Sequence, residues 1–355
     1  MEITNLFIKL VKIDSPSGFE DEISKYIVQF LKALKIKTAI DRFGNVYCRV
    51  GKKKTKPIFF SAHLDTVEPG RNIKPIIKNS FVQSDQTTIL GADNKIAVAT
   101  VLYTAQQIIK NHIAHRNFEV IFTRSEEIGN YGAVNFNTKL LKSDYGYCFD
   151  SSSPIGTIIT ASPFYERFNI NIIGQSAHTS LPNKANNVIF PLIKFINKIS
   201  LGRLNKDTVA NIGVINLGSV RNTIPGNAFI QGEIRSFIEK KITTYKEQLI
   251  KKLEKSTKKY GVKFTQNFVQ ENTGYLHKDQ VSEQLINNLK VIFNCMNVVP
   301  IAQSSWGVSD ANIFNQCGKK CINLGNGSEF THSVKERISI KSILNLQKLM
   351  LKLII

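Results

Sequence analysis

The sequence predicts an α/β protein: a mixed, mostly parallel sheet with flanking helices, interrupted by a small inserted α+β domain. Three observations predict it. Strand-like and helix-like segments alternate from about residue 45 to 150, and the pattern changes over 163–272, where long alternating segments appear. A mixture of strand-like and helix-like segments returns over 273–355. Such alternation is typical of a parallel sheet covered by helices. We therefore expect one domain of residues 1–162 and 273–355 and a second domain of residues 163–272.

The elements of the first half follow from local patterns. Residues 3–35 predict helical segments that are interrupted by the turn-forming DSPSG. The segments that follow alternate in type: a strand in PIFFSAH, a helix in DNKIAVATVLYTAQQII, a strand in FEVIFTR, a helix in YGAVNFNTKLL and a strand in YGYCFD. The lysine-rich GKKKTK lies between strand-like GNVYCRV and PIFFSAH, so it predicts an exposed hairpin turn.

The insert and the tail are assigned in the same way. In the insert, FYERFNINIIG and NAFIQGEIRSFI alternate as strands do, and NNVIFPLIKFINKI and TTYKEQLIKKLEKSTKKY predict helices. Two strands and two helices of this size suggest a small α+β unit. The tail resumes the mixed pattern with SEQLINNLKVIFNCM, DANIFNQC, CINLGN and SILNLQKLMLKLI.

The net charge of +20 is spread along the 355 residues. A basic surface can bind nucleic acid or membranes, but such sites concentrate their lysines and arginines. We find no basic stripe interleaved with aromatic residues, and the richness in Ile, Asn and Lys is what biased base composition would produce. With 42% hydrophobic and 21% charged residues, the chain has an ordinary globular composition. We interpret the charge as a solvated surface and expect neither nucleic acid nor membrane as a partner.

The cysteines bear on the compartment. They are scattered and odd in number, which fits a reducing environment better than a disulfide framework. The start of the sequence mixes charges into its apolar positions, and no uncharged run is long enough to span a bilayer. We therefore expect a cytoplasmic protein. The five cysteines are Cys48, Cys148, Cys295, Cys317 and Cys321.

The apolar strand PIFFSAH ends at a histidine, His63, and Asp65 follows two residues later. Side chains two apart on a strand point the same way, so these two groups should face each other. An aspartate at this spacing can simply satisfy a buried imidazole. Alternatively, His63 binds a metal ion and Asp65 supports its ring. The rest of the chain has to decide between these two explanations.

Further polar groups follow other strands or begin a helix. Taken singly, each has a structural explanation: a helix cap, a loop acid or a turn residue. Ligands of α/β sheets bind beyond the carboxyl ends of the strands, so we expect these side chains to gather at one edge. They are Asp93, Glu126, Glu127, Asp150 and His332.

Two histidines and three carboxylates suit two zinc ions, with one histidine and one terminal carboxylate for each ion and the third carboxylate as a bridge. The charges agree. Two zinc ions bring four positive charges, and Asp93, Glu127 and Asp150 with a bridging hydroxide bring four negative ones. Glu126 is then the unused carboxylate, which can take a proton from the bridging water.

At this point the sequence resembles a known family. The resemblance rests on segments that occur in the family's order: SAHLDTV, LGADNKIAV, SEEIGNYGA, FD, GQSAHTSLPNKANN, RNTIPG, GEIRS, GVSDANIF and THSVKERI. That family is the co-catalytic two-zinc metallopeptidases, which include carboxypeptidase G, aminoacylase, succinyl-diaminopimelate desuccinylase and peptidase T. SEEIGNYGA followed by FDSSSPIGTI is most similar to the peptidase T-like branch. The chain departs from the usual patterns at DNK, GVSD and DSSS, none of which removes a ligand.

The resemblance implies a role for each position in the first domain. His63 and Asp150 hold one zinc, Glu127 and His332 hold the other, and Asp93 bridges. Asp65 orients His63, and Glu126 is the general base and later the acid. The resemblance also implies a cis peptide bond between Asp93 and Asn94.

The resemblance further implies that the insert is a lid and the usual dimerisation domain, so a homodimer is expected. His178 corresponds to the lid histidine that stabilises the tetrahedral intermediate. Asn222 and Arg235 correspond to residues that engage the substrate carbonyl and carboxylate.

The expected function is therefore a zinc-dependent amide hydrolase that acts as an aminopeptidase on short peptides, similar to a tripeptidase. Co²⁺ or Mn²⁺ are expected substitutes for the two Zn²⁺ of each subunit. A carboxypeptidase or an N-acyl amino acid deacylase would use the same centre and remains an alternative. A non-catalytic or nucleic-acid-binding protein on this fold is the alternative from another class.

Overall fold

The computed structural model describes residues 2–51 and 55–355. The chain forms two compact units. Unit 1 consists of residues 1–161 and 276–355, and unit 2 consists of residues 162–275. The α/β class predicted from the sequence is confirmed. No helix among the described residues is long and apolar enough to cross a membrane.

The elements as far as the end of β8 are α1 (Ile3–Val11), α2 (Asp21–Ala33), β1 (Thr38–Ile40), β2 (Val46–Val50), β3 (Ile58–His63), β4 (Ile76–Lys78), β5 (Phe81–Gln83), α3 (Ala92–Lys110), β6 (Phe118–Thr123), α4 (Tyr131–Asn135), β7 (Tyr145–Ser151) and β8 (Thr157–Ser162). The next elements are β9 (Phe164–Ile173), β10 (Ala177–His178), α5 (Ile189–Ile196), β11 (Gly202–Asn205), β12 (Thr208–Leu217), β13 (Thr223–Ile224), β14 (Asn227–Ser236), α6 (Glu239–Thr257) and β15 (Lys263–Asn272). The last are β16 (Tyr275–Leu276), α7 (Gln280–Cys295), β17 (Ile301–Ser304), α8 (Asp310–Gln316), β18 (Lys320–Gly325), β19 (Ser328–Glu329), β20 (Arg337–Ser339) and α9 (Ile340–Ile354).

The large sheet has the strand order β1-β2-β6-β3-β7-β18-β8-β16, with β17 paired to β8. Its middle strands β6, β3, β7 and β18 are mutually parallel, so their carboxyl ends meet at one edge. The predicted hairpin between β2 and β3 is wrong, because β6 lies between these two strands. The lysine-rich turn itself includes residues 52–54, which lie outside the described residues.

Both faces of the central strand β3 are covered. Phe60 points to the face where it stacks on Phe149, 5.8 Å between ring centroids, within the main core shared with α3. Phe59 points to the opposite face and contacts Phe314 of α8 at 5.1 Å. This explains why PIFFSAH is a continuous apolar run rather than an alternating one. The carboxyl end of β3 is thereby held rigidly on both sides.

One predicted helix is broken. The segment YGAVNFNTKLL forms only the short α4, because Phe136 turns to an extended conformation. Asn137 then caps a separate 3₁₀ turn over Thr138–Leu140 by accepting a hydrogen bond from the Lys139 amide. Asparagine side chains commonly terminate and restart helices in this way.

Unit 2 is built on a five-stranded antiparallel sheet of order β11-β12-β14-β9-β15, with its own apolar core beneath α5 and α6. The sequence predicted only β9 and β14. Strands β12 and β15 were missed because most of their side chains are exposed or only partly buried, so neither shows a regular apolar alternation.

His277 of unit 1 leads to a test of acid stability. Its ring is buried between Ser282 Oγ and the Cys321 carbonyl oxygen, at 3.2 and 3.1 Å. Burial lowers the pKa of His277 to about 4, against an ordinary value of 6.5, despite the hydrogen bond to Cys321. The folded state therefore resists protonation. The contribution of the neutral, buried His277 ring to stability is complete above pH 6.5. As the pH falls towards 4 this contribution is lost, which lowers the free energy of unfolding by about 3 kcal/mol.

We accordingly expect the free energy of unfolding of His277→Gln to depend less steeply on pH between 6.5 and 4 than that of the unmodified protein. Urea unfolding at several pH values measures this slope. The exposed His112 offers a control variant, His112→Asn, for the replacement of a histidine. Equal slopes for the His277 variant and the unmodified protein would contradict the assignment.

Candidate metal centre

The carboxyl edge of the parallel strands gathers the polar residues that the sequence singled out. His63 is the last residue of β3 and lies opposite Thr123, the last residue of β6. Glu126 and Glu127 therefore follow the neighbouring strand at the same edge. Asp150 lies near the end of β7, on the other side of β3. Strand register thus accounts for the convergence of side chains that are far apart in sequence.

One group of side chains is formed by His63, Asp93 and Asp150. The Nε2 atom of His63 lies 3.2 Å from Asp93 Oδ1 and 3.3 Å from Asp150 Oδ1. The Nδ1 atom donates a hydrogen bond to the Asp65 carbonyl oxygen at 3.0 Å. Because that carbonyl can only accept, Nδ1 carries a proton, and in the neutral form of the ring the lone pair of Nε2 faces the two carboxylates.

A second group is formed by Asp93, Glu127 and His332. Nε2 of His332 lies 3.0 Å from Glu127 Oε1 and 3.6 Å from Asp93 Oδ2. Asp93 therefore presents Oδ1 to His63 and Oδ2 to His332, so one carboxylate serves both groups. The ligand atoms within each group lie within 4.8 Å of one another. A carboxylate shared between two clusters of nitrogen and oxygen donors fits a pair of divalent ions.

Asp65 does more than the sequence suggested. Its carboxylate accepts the backbone N–H groups of Glu126 at 2.9 Å and Glu127 at 3.0 Å, and the Ser17 hydroxyl at 2.7 Å. The nearest carboxylate oxygen lies 3.4 Å from His63 Nδ1, farther than the Asp65 carbonyl oxygen. The side chain of Asp65 thus fixes the loop that carries both glutamates, while its backbone fixes the His63 ring.

Asp93 is held by a residue that the sequence reasoning missed. The buried Glu336 accepts hydrogen bonds from the backbone N–H groups of Leu90, Gly91 and Asp93, at 2.7–3.1 Å. Gly91 has φ +71°, a left-handed conformation that glycine adopts at little cost. Glu336 lies in the quoted segment THSVKERI, which was the only signal for it.

The residue after Asp93 also contacts the site. The Asp93–Asn94 peptide bond is cis, as the resemblance implied. Asn94 is buried, and its Nδ2 atom donates to Asp150 Oδ1 at 2.9 Å. A neutral amide at this position orients Asp150 without adding negative charge to the cluster.

The cluster concentrates negative charge. Burial raises the pKa of Glu126 well above its usual value, and the neighbouring Asp150 carboxylate adds to the shift. Burial also raises the pKa of Asp150 to about 8, although His63 opposes the shift. Burial lowers the pKa of His63, but the adjacent carboxylates of Asp150, Asp65 and Asp93 together outweigh it, and the net pKa is well above 6.5. Raised pKa values such as those of Glu126 and Asp150 are expected of carboxylates that are poorly solvated. Bound divalent cations stabilise the charged form of such carboxylates.

The residues predicted in the insert lie in unit 2. His178 ends β10 and pairs with Thr223 of β13, and its Nε2 lies 3.5 Å from Asn222 Nδ2. Unit 2 thus brings His178 and Asn222 together. Arg235 lies on β14, where its guanidinium donates to Glu233 at 3.1 Å and stacks over the Tyr165 ring at 4.4 Å.

Comparison with known proteins gives consistent results. Residues 59–355 match the family described as Peptidase family M20/M25/M40. The chain is 30% identical to a tripeptidase of Staphylococcus aureus subsp. aureus mu50, with TM-score 0.94, covering 99% of this chain and 96% of that one. It is 31% identical to aminopeptidase PepT of Bacillus cereus ATCC 10987, with TM-score 0.88, covering 98% and 96%.

A sequence relative supports the same branch. Peptidase T of Clostridium botulinum (strain Loch Maree / Type A3) is 26% identical over 404 residues, covering 99% of this chain and 98% of the relative. The resemblance to the peptidase T-like branch is thereby confirmed. The chain belongs to peptidase family M20/M25/M40.

Proposed function

We propose that the protein is a two-metal aminopeptidase that hydrolyses short peptides. The observation that carries this proposal is the placement of Asp93, whose two carboxylate oxygens face separate histidine–carboxylate pairs. The likeness to the tripeptidase and PepT structures supports an aminopeptidase within the family.

We propose that His63 and Asp150 hold one ion, that Glu127 and His332 hold the other, and that Asp93 bridges them. Imidazole nitrogen with carboxylate oxygen is a donor set that zinc accepts, so Zn²⁺ is the proposed metal, with Co²⁺ or Mn²⁺ as substitutes. When bound, the two ions lower the pKa of water to about 7 and polarise the scissile carbonyl.

Glu126 is the proposed proton carrier. Its Oε1 atom accepts a hydrogen bond from Asn130 Nδ2 at 2.8 Å, which leaves Oε2 to accept the proton of the attacking water. Glu126 then donates this proton to the nitrogen of the departing amine. A carboxyl group whose pKa is raised by burial can both accept and return a proton near neutral pH.

His178 of unit 2 is proposed to stabilise the negative charge that develops on the carbonyl oxygen. We expect His178→Ala to lower kcat by about 10²–10³, the usual loss for removing one such donor. Metal content and melting temperature should stay unchanged, because the side chain is exposed. His112→Asn serves again as the control for an exposed histidine, and an unchanged kcat in His178→Ala would contradict the role.

Asn222 and Arg235 are proposed to bind substrate. Arg235 engages a carboxylate, and Asn222 acts beside His178. We also propose that unit 2 mediates homodimer formation and that the protein works in the cytoplasm. Light scattering that gave the mass of a single chain would contradict the dimer.

The experiment that tests the function is a substrate panel with the zinc- or cobalt-loaded protein. The panel contains di- and tripeptides of three distinct residues, N-acetylated copies of them and N-acyl amino acids, with products identified by mass spectrometry. We expect release of the N-terminal residue from free tripeptides and no cleavage of the acetylated copies. Release of the C-terminal residue would indicate a carboxypeptidase, and cleavage of N-acyl amino acids would indicate a deacylase.

A further inference from the structure

A buried chain of hydrogen bonds runs from the proposed proton carrier to the start of α8. The Nδ2 atom of Asn130 donates to Glu126 Oε1 at 2.8 Å and to Asp310 Oδ1 at 3.1 Å. Asn130 and Asp310 are each only 1% exposed. An amide nitrogen carries two hydrogens and no acceptor, so one amide group binds both carboxylates at once.

The far end of this chain is firmly anchored. Asp310 Oδ2 accepts a hydrogen bond from the Thr123 hydroxyl at the end of β6. Asp310 is also the first residue of α8, whose N-terminus is capped by Ser309. Asp310 therefore connects β6 to α8 within unit 1 and gives Asn130 a fixed acceptor.

The backbone of the loop that carries Glu126 is held without Asn130's side chain. Asp65 accepts the backbone N–H groups of Glu126 and Glu127. Glu20 accepts a hydrogen bond from the backbone N–H group of Ser125. Asn45 accepts a hydrogen bond from the Arg124 N–H group and donates one to the Gly132 carbonyl oxygen. These contacts hold the loop backbone separately from the Asn130 amide, whose described hydrogen bonds go to the side chains of Glu126 and Asp310.

We propose that Asn130, anchored by Asp310, is a positioning residue that holds Oε1 of Glu126 as an acceptor and leaves Oε2 as the oxygen that exchanges the proton. This inference rests on the proposed function, because it takes Glu126 as the proton carrier. A carboxylate with both oxygens unrestrained samples several rotamers, and only some of these are productive.

Two variants remove the amide. Asn130 has φ +55°, which glycine adopts without strain, so Asn130→Gly deletes the side chain and leaves the backbone conformation unstrained. Asn130→Asp keeps the size of the side chain, but an aspartate has at most one proton to donate and cannot bind both carboxylates. If one of these variants fails to fold, the other still tests the proposal.

The matched control is Asn45→Ala. Asn45 is fully buried and holds the same loop through the backbone of Arg124 and Gly132, whereas its hydrogen bonds do not involve Glu126. A purely structural effect on the loop should therefore appear in Asn45→Ala as much as in the Asn130 variants.

The first measurement does not depend on activity. In a crystal structure of metal-loaded Asn130→Gly, we expect the Glu126 carboxylate in a new rotamer or in several, while the metal ligands keep their places. A Glu126 side chain that stays in its original rotamer would overturn the proposal. This result is decisive even if the protein cleaves no peptide, in which case only the proposed function would fail.

The second measurement is kinetic. We expect both Asn130 variants to lower kcat by roughly 10–100-fold, with KM within about threefold and metal content unchanged. Adding Asn130→Gly to Glu126→Gln should lower the residual turnover no further, because the residue that Asn130 positions is already disabled. An equal loss of kcat in Asn45→Ala at the same melting temperature, or full additivity with Glu126→Gln, would overturn the proposal.

Discussion

Glu126→Gln should keep its full metal content and lose about 10²–10⁴-fold in kcat, the contribution of a well-placed general acid–base group. Glutamine has the same size and can still accept the hydrogen bond of Asn130 through its amide oxygen. It cannot take up a proton, so water is no longer activated and the leaving nitrogen is no longer protonated. Metal analysis by mass spectrometry together with steady-state kinetics measures both quantities.

The matched control is the neighbouring Glu127→Gln. Glu127 faces His332 at 3.0 Å and is the proposed ligand, so this variant should lose metal as well as activity. The side chains of His63, Glu126 and Glu127 also lie close enough to form a donor group of their own. Loss of metal in Glu126→Gln with retention in Glu127→Gln would show that the two roles are exchanged.

Asp93→Asn should reduce the bound metal from two ions per chain to one or none, with turnover below that of Glu126→Gln. Asp93 presents Oδ1 to His63 at 3.2 Å and Oδ2 to His332 at 3.6 Å, whereas an asparagine keeps a single, uncharged oxygen there. Asp144→Asn is the control, since Asp144 is exposed and pairs only with Lys56 among the ion pairs described. Two tightly bound ions in Asp93→Asn would exclude the bridging role.

Removal of the metal tests the role of Asp93 in a second way. A ligand that binds only the folded state stabilises it by about 2.7 kcal/mol when its free concentration is 100 times Kd. Chelation should therefore lower the melting temperature of the unmodified protein, and added zinc should restore it. Asp93→Asn should respond much less to either treatment.

The catalytic edge could be predicted because strand geometry is local. An apolar run that ends in His63, with Asp150 at the end of another strand, indicates a shared edge as soon as the strands are parallel. The resemblance then assigned the roles. The resemblance implied that Asp93 bridges, but neither source indicated what holds it in place, because that depends on the turn before α3 and on the Glu336 carboxylate more than two hundred residues away.

Other features were beyond sequence reasoning for a similar reason. Asn130 and Asp310 stood in the quoted segments SEEIGNYGA and GVSDANIF, but only the fold brings them into contact. The prediction of a hairpin between β2 and β3 was wrong because β6 lies between these two strands in the sheet. Since β6 comes some sixty residues after β3 in the sequence, no local pattern indicates this pairing. The burial of His277 likewise depends on the fold, because one of its two hydrogen-bond partners, the Cys321 carbonyl oxygen, lies 44 residues away in the sequence.

The proposed metal centre has five side chains that hold two metal ions, with Asp93 between the ions. The most direct measurement is anomalous diffraction from zinc-loaded crystals, with data collected on both sides of the zinc absorption edge. We expect two peaks about 3.5–4 Å apart, one beside His63 and Asp150 and the other beside Glu127 and His332. A single peak at saturating zinc, or a peak coordinated by Glu126, would contradict it.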